Sequence, residues 1–265
     1  MCPPMTPRVV AIGGGKGGVG KSLVAANVGI FLATLGKRVI LVDAAFGAAN
    51  LHIFAGVPRP MRSLSEALVA AGPRLADLAV STHVSGVKLI GGVNDPPWVA
   101  EPGPALIELV SDQLHELAAD WVVVDLGPGM ASPALEIFLA ADVQIIVAVP
   151  DPTSIELMHR FVKAGFLRSL ERRGLAHLAQ RVGRDPRHLE GGTPSALEVY
   201  LGAVADGVAE LDELRTAILG FAPHLVINSA RSKHFAIRVS GCSISSGRRR
   251  RVDAHTASSY SRWPR

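Results

Sequence analysis

The hydrophobic residues of this chain are concentrated in six short apolar runs, separated by longer stretches with helical spacing. Val, Ile and Leu dominate these runs, which cover residues 8–12, 38–43, 87–90, 121–125, 143–149 and 224–228. Continuous apolar runs of this length are typical of parallel strands that are covered on both faces. Strand and helix patterns alternate along the chain. We therefore predict an α/β fold, a doubly wound and mostly parallel sheet with helices on both faces.

Polar residues mark where several of the predicted helices begin. Three starts carry a capping-box pattern, in which Ser or Thr precedes Glu by three positions: Ser63 and Glu66, Thr153 and Glu156, Ser195 and Glu198. The last of these opens one further helical stretch before the final strand. Gly, Pro and polar residues predict loops over 44–57, 94–104 and 181–194.

Composition narrows the class of protein. The chain has 265 residues, 48% of them hydrophobic and 5% aromatic, so its core is predicted to be aliphatic. Cys2 and Cys242 lie far apart, which argues against a disulfide framework, a cysteine metal site and an iron–sulfur carrier. The N-terminus lacks the apolar stretch of a signal peptide, and no run reaches the ~20 residues of a membrane span. We expect a cytoplasmic protein.

The positive charge of the chain is concentrated at its C-terminal end. Residues 238–265 hold seven arginines and one acid, Asp253, whereas the rest of the chain has a slight net negative charge. This segment cannot bury a core, so we predict a nucleotide-binding domain over 1–237 and a basic, disordered tail over 238–265. The tail could contact DNA or acidic lipid through its arginines. An altered reading frame or a truncated gene end is the alternative origin of this composition.

A glycine-rich loop follows the first strand and leads directly into a helical pattern. Residues 15–22 fit G-x-x-x-x-G-K-[ST], in which backbone N–H groups cradle phosphates. The glycines are expected to allow positive φ angles, and the helix N-terminus adds a positive dipole end. Lys21 would contact the β- and γ-phosphates, and the Ser22 hydroxyl would contact Mg²⁺. The predicted nucleotide-binding residues here are Gly15, Lys16, Gly17, Gly18, Val19, Gly20, Lys21 and Ser22.

The same loop also satisfies a dinucleotide fingerprint. Gly13, Gly15 and Gly18 fit G-x-G-x-x-G, and Asp43 ends the next strand, where a ribose-binding acid belongs. A dinucleotide loop does not need the Lys-Ser pair, so the longer match favours a phosphate-binding loop. An NAD-dependent oxidoreductase would bind NAD in preference to ATP.

Two aspartates are expected to lie beside this loop. Asp43 and Asp125 each end a buried strand, and the carboxyl ends of parallel strands meet at one edge of a sheet. Asp125 suits a Mg²⁺ site, and the N–H of Gly129 could approach a γ-phosphate.

Several motifs resemble the MinD/ParA class of ATPases. Residues 16–22 (KGGVGKS) resemble its deviant Walker A loop, whose mark is a second lysine near the start of the loop. Residues 43–51 resemble its switch I pattern, D-x-D-x-G-x-x-N-L, and residues 125–129 resemble its switch II. Residues 150–155 and Asn228 fit as well. The resemblance covers residues 8–235 and is strongest to the FlhG/MinD-like branch.

The resemblance implies roles for individual residues, with ATP and Mg²⁺ as cofactors. Lys16 would be catalytic and reach across an ATP-sandwich homodimer to the partner's phosphates. Asp43 would organise switch I, Mg²⁺ and catalysis, and Asp125, a metal ligand, would sense the γ-phosphate together with Gly129. Asn228 would contact adenine.

The chain departs from the family pattern at two places. Ala45 stands where the family has the second switch I aspartate, which positions the attacking water. Loss of a general base typically costs 10²–10⁴-fold in rate, so we expect ATP and Mg²⁺ to bind and hydrolysis to be slow or absent. After Asn228, the family's last strand and helices are not recognisable in the sequence.

These expectations combine into a switch ATPase for spatial regulation. ATP would close a homodimer that recruits an unidentified protein activator or cargo, and the protein would place flagella, set their number or mark the division site. It would act in the cytoplasm or at the inner face of the membrane. The alternatives are a ParA-like DNA-partitioning ATPase and a non-hydrolysing ATP-binding scaffold.

Overall fold

A computed structural model describes residues 6–68, 72–92, 103–130, 132–184 and 193–229 of the chain. The predicted tail over 238–265 lies outside these residues, as does most of the predicted loop over 94–104.

The described residues form a sheet in the order β3-β4-β2-β5-β1-β6-β7. All strand pairs are parallel except β3 with β4. The six strands predicted from the apolar runs are confirmed, and the antiparallel β3 is an addition that has two residues. The strands are β1 Arg8–Gly13, β2 Val39–Ala44, β3 Val80–Ser81, β4 Val87–Ile90, β5 Trp121–Leu126, β6 Val143–Ala148 and β7 His224–Ile227.

Helices cover both faces of this sheet, as predicted. The helices are α1 Lys21–Thr34, α2 Leu51–Phe54, α3 Pro104–Leu114, α4 Ser132–Ala140, α5 Pro152–Arg172, α6 Ala176–Gly183, α7 Ala196–Ala205 and α8 Leu211–Gly220. Two 3₁₀ helices span Leu64–Leu68 and Leu75–Leu78. Among the described helices, none is long and apolar enough to cross a membrane.

The sheet separates two aliphatic cores because successive side chains of a strand point to opposite faces. Val10 and Ile12 pack in the core on the α1 side, whereas Val9 and Ala11 pack in the core that α3, α4 and α5 share. The larger core contains the edge-to-face pair of Phe138 on α4 and Phe161 on α5. Burial on both faces explains why the central strands are continuous apolar runs.

The structure corrects four local predictions. Helix α2 lies inside the predicted loop 44–57, and α6 extends into the predicted loop 181–194. The single stretch expected after Ser195 is two helices, α7 and α8, with Gly207 at positive φ between them. The capping box at Ser195 and Glu198 is confirmed, but the one at Thr153 and Glu156 is wrong because α5 begins two residues earlier, with Asp151 as its N-cap.

Candidate nucleotide-binding site

The glycine-rich loop connects β1 to α1 at the carboxyl edge of the sheet. Positive φ is found at Gly18 (73°) and Gly20 (93°), as expected of a loop that turns its N–H groups inward. Gly14 and Gly15 are required for a different reason, close packing. A Cβ on Gly14 would lie 2.7 Å from a backbone oxygen of β6, and one on Gly15 would lie 2.2 Å from the backbone oxygen of Leu157 on α5.

Lys21 lies in the first turn of α1 and is buried beneath the loop. Its Nζ donates a hydrogen bond to the backbone oxygen of Lys16, 3.2 Å away, so the side chain folds back along the loop. Burial lowers the pKa of Lys21, and the nearby charge of Asp125 opposes this shift. The structure thus holds a cation at the point where the sequence predicts phosphates.

Asp43 and Asp125 lie side by side, because they are register partners on the paired strands β2 and β5. Both carboxylate oxygens of Asp125 are buried without a hydrogen-bond partner among the described residues. Burial raises the pKa of Asp125 to about 7. The nearby Ser22 hydroxyl lowers this pKa, but its own hydrogen bond is directed to Asn50 Oδ1, 2.7 Å away.

The carboxylate of Asp43 organises the loop that resembles switch I. One oxygen accepts a hydrogen bond from the N–H of Ala45 at 3.2 Å, and the other accepts from the N–H of Leu51 at 2.8 Å. The two ends of this loop are therefore fastened to a single buried side chain. Ala45 itself is 6% exposed and lies against Gly127 of the switch II segment.

Both switch segments contact the glycine-rich loop directly. The hydrogen bond between Ser22 and Asn50 joins the start of α1 to switch I. On the other side, Gly129 has a φ of 99°, and its N–H donates to the backbone oxygen of Gly14 at 3.3 Å. The loop is thereby hydrogen-bonded to both segments.

Lys16 is held at the edge of the loop by the N-terminus of α5. Its Nζ lies 3.0 Å and 3.1 Å from the two carboxylate oxygens of Asp151 and 2.9 Å from the hydroxyl of Thr153. The Thr153 hydroxyl, the N–H of Ser154 and Lys16 lower the pKa of Asp151 to about 2. The ammonium group is thus paired with an ionised carboxylate, and the Lys16 side chain is 34% exposed.

Sequence reasoning missed Asp151 as a member of this site. The signal was local: an Asp directly before a Pro is a common helix start, with Asp as the N-cap and Pro at the first helical position. The structure shows this arrangement, in which Asp151 accepts from the N–H of Ser154 at 2.9 Å.

Asn228 follows β7 and packs against the glycine-rich loop. Its Nδ2 donates to the backbone oxygen of Val19 at 2.9 Å, and its Oδ1 accepts from the N–H of Ser229 at 2.9 Å. A Cβ on Gly20 would lie 2.4 Å from this Nδ2. The side chain therefore supports the backbone of the loop, while its predicted contact with adenine stays a prediction.

Together these groups suit a magnesium-bound nucleotide. The inward-turned loop and the N-terminus of α1 supply backbone N–H groups for phosphates. The unpaired, buried carboxylate of Asp125 beside Ser22 is an oxygen donor set of the kind that Mg²⁺ prefers, directly or through water. The residues present therefore fit this ion.

Comparison with known proteins agrees with the geometry. The model of the CobQ/CobB/MinD/ParA nucleotide-binding domain matches residues 10–234. The antiactivator FleN of Pseudomonas aeruginosa is 32% identical over 160 residues, which are 59% of this chain and 55% of FleN. The flagellum site-determining protein YlxH of Helicobacter pylori is 29% identical over 165 residues, which are 59% of this chain and 53% of YlxH. The chain thus spans about half the length of these relatives.

A solved structure supports the fold. The septum site-determining protein MinD of Pyrococcus horikoshii, complexed with Mg-ADP, is 28% identical and superposes with a TM-score of 0.54. The superposition covers 64% of this chain and 67% of that protein. The predicted doubly wound fold is confirmed, and so is the resemblance to the MinD/ParA class and its FlhG/MinD-like branch.

Proposed function

This chain belongs to the CobQ/CobB/MinD/ParA nucleotide-binding family, and on that premise we propose that it is an ATP-dependent, dimerising switch for spatial regulation. The relatives FleN and YlxH support a role in flagellar number or placement. The observation that carries the proposal is the position of Lys16, a partly exposed lysine at the rim of the loop with a replaceable anionic partner.

The residues of the loop have separate tasks in this function. Backbone N–H groups and buried Lys21 bind the β- and γ-phosphates, where a full charge in a site with little water is worth more than at the surface. Ser22 and Asp125 would hold Mg²⁺, which would supply positive charge to offset that of the phosphates. Ser22 and Gly129 connect the occupied loop to switch I and switch II.

Lys16 changes partner when the dimer forms. Its bond to Asp151 is partly exposed, and such ion pairs contribute little to the stability of a protein. Phosphates of ATP in the second copy present more negative charge than one carboxylate does. Lys16 can therefore leave Asp151 for these phosphates at little cost in free energy. This exchange makes dimerisation depend on bound ATP.

Hydrolysis is slow in this proposal. Position 45 presents a methyl group, which can neither accept a proton nor orient water, and it is buried against Gly127. The ATP-bound dimer would then persist until a partner protein acts on it. The same observation favours a second candidate, a scaffold that binds ATP and dimerises without turnover.

The test is the effect of Lys16→Ala on the oligomeric state, measured by light scattering with Mg-ATP and with Mg-ADP. We expect wild-type protein to dimerise with Mg-ATP alone, and Lys16→Ala to stay monomeric while it still binds ATP through Lys21. Lys37→Ala is the control, since Lys37 is exposed beyond the end of α1. Equal dimerisation of wild type and Lys16→Ala, or a dimer that ignores the nucleotide, contradicts the proposal.

A further inference from the structure

A groove of about 570 Å³ lies where α5, α7 and α8 meet. Its floor is apolar and consists of Val162 and Phe166 from α5, Tyr200 from α7 and Ile218 from α8. Volumes of this size are typical of concave ligand-binding sites. No residue of the nucleotide-binding site lines it, so it is a separate concave surface.

Exposed leucines border this groove. Leu197 on α7 is 65% exposed, and Leu219 on α8 is 64% exposed; both line the groove. Leu201, one helical turn beyond Leu197, is 56% exposed. Single exposed leucines are common, but leucines around an apolar concavity form a continuous surface that favours burial by a partner.

The polar part of the rim is basic. His159 and Lys163 from α5 and Arg215 from α8 line the groove, whereas no Asp or Glu among the described residues does so. Lys163 Nζ donates to the backbone oxygen of Thr193 at 2.8 Å, and Arg215 is exposed without an ion pair in the described part of the chain.

Acidic residues on the same helices lie outside the lining. Glu156 pairs with Arg160 on α5, and Glu198 accepts hydrogen bonds from the N–H and the hydroxyl of Ser195 at the start of α7. Asp212 and Glu213 lie in the first turn of α8. The lining itself therefore presents cationic side chains around an apolar floor.

We propose that this groove docks an acidic, amphipathic helix of a protein partner. Leucine-sized side chains on one face of such a helix would fill the floor, and flanking carboxylates would meet Lys163 and Arg215. A second copy of this chain is disfavoured, because a two-fold contact at this face would set the two basic rims against each other. The arginine-rich segment 238–265 has the same sign of charge as the rim and is disfavoured for the same reason. A flat membrane surface would leave the concavity unfilled.

Helix α5 connects the groove to the nucleotide site. Helix α5 carries Asp151 and Thr153, which hold Lys16, at its N-terminus, and its next two turns carry His159, Val162 and Lys163. Leu157, between these two sets, contacts the glycine-rich loop at Gly15. Use of the groove by the regulatory partner rests on the proposed function, whereas the docking itself does not depend on ATP turnover.

The test uses two synthetic peptides of about 16 residues, long enough to form a helix on a surface. Both have leucine at helical spacing, and the flanking positions are glutamate in one peptide and lysine in the other. Fluorescence anisotropy measures their binding to the full chain with ADP. The variants are Arg215→Glu, Leu197→Ser and Leu219→Ser, and Arg173→Glu gives the same charge change outside the groove. Retained ADP binding shows that each variant is folded.

We expect saturable binding of the glutamate peptide, about tenfold weaker or more in Arg215→Glu and in each leucine variant, and unchanged in Arg173→Glu. Arg215→Glu should also bind the lysine peptide better than wild type does. Equal binding of the two peptides, equal effects of Arg215→Glu and Arg173→Glu, or no saturable binding overturns the proposal. So does Leu197-dependent binding to phosphatidylglycerol vesicles without peptide binding, which would make the surface a membrane contact. A failure of nucleotide-dependent dimerisation alone would contradict the proposed function and leave the groove untouched.

Discussion

The buried carboxyl of Asp125 destabilises the folded chain at neutral pH. Its pKa of about 7 lies above the ordinary value of 3.8, so between these values the folded state keeps a proton that the unfolded state has released. The unfolding free energy therefore falls as the pH rises from the pKa of the unfolded state towards that of the folded state. Below the pKa of the unfolded state, the carboxyl is protonated in both states and this loss is absent.

Asp125→Asn should remove this pH dependence. We expect the variant to gain unfolding free energy over wild type, and the gain to be of order 2 kcal/mol larger at pH 8 than at pH 5, measured by urea unfolding without nucleotide or Mg²⁺. Asp120→Asn is the contrasting control, because hydrogen bonds with Arg38 lower the pKa of Asp120 below its ordinary value of 3.8. Its loss should therefore lower the unfolding free energy, by the same amount at pH 5 and at pH 8. Parallel pH curves for Asp125→Asn and wild type would refute this account.

A second prediction for a single residue concerns Ala45 and the rate of ATP hydrolysis. Ala45→Asp should speed single-turnover ATP hydrolysis by roughly 10²–10⁴-fold, because it supplies a carboxylate that can position water. Ala45→Asn has nearly the same shape without a charged base and is the matched control for packing against Gly127.

The pair of variants separates the outcomes. A fast Ala45→Asp beside a slow Ala45→Asn and a slow wild type places the missing base at this position. If all three proteins hydrolyse ATP at the same rate, another group positions the water and the interpretation of switch I is wrong.

At the scale of elements, the glycine-rich loop is shaped by α5 as well as by phosphate chemistry. Gly15→Ala would place a methyl group 2.2 Å from the backbone oxygen of Leu157, so α5 or the loop must shift. Overpacking of this kind costs ~1–3 kcal/mol. We expect Gly15→Ala to lower the melting temperature of the chain and weaken ATP binding.

Gly17→Ala is the matched control in the same loop. A Cβ there would meet Pro128 at an ordinary 3.8 Å, and the φ angle of Gly17 is not in the positive region. Its melting temperature should stay close to that of wild type. A Gly15→Ala variant as stable as Gly17→Ala would show that the approach of Leu157 does not constrain the loop.

Much of this architecture could be predicted from the sequence because parallel strands leave a strong local signal. The run 121–125 is covered on both faces, so nearly all its residues are apolar. The acid at its end, Asp125, could therefore be predicted to lie beside the glycine-rich loop. Strand β3 has two residues, which is too short for a pattern, and α6 has only eight residues, the last three of which belong to the polar segment 181–194.

The candidate site shows the same limit. Convergence of Lys21, Asp43 and Asp125 follows from strand ends meeting at one edge of the sheet. The bond between Lys16 and Asp151 joins residues that are 135 positions apart, and it depends on where α5 begins. The predicted capping box placed this start at Thr153, so the role of Asp151 was missed.

At the scale of the whole molecule, the distribution of charge along the chain distinguishes a switch that binds a protein partner from an ATPase that partitions DNA. Seven arginines lie in residues 238–265, and the remainder of the chain is slightly acidic. We therefore expect any binding of short duplex DNA to depend on this segment and to fall steeply with salt, with a log–log slope of magnitude no more than about 6. A chain ending at residue 237 should lose the binding, with ADP or ATP alike.

The truncated chain must keep its nucleotide response for this comparison to be valid. Its Mg-ATP-dependent dimerisation is the control, because Lys16, Lys21 and Asp125 all lie far from the removed segment along the chain. DNA binding that survives the truncation and requires ATP would assign the molecule to the partitioning class, since a dimer would then be needed to build the basic surface. Loss of binding together with retained dimerisation supports the switch, in which ATP controls contact with a protein partner.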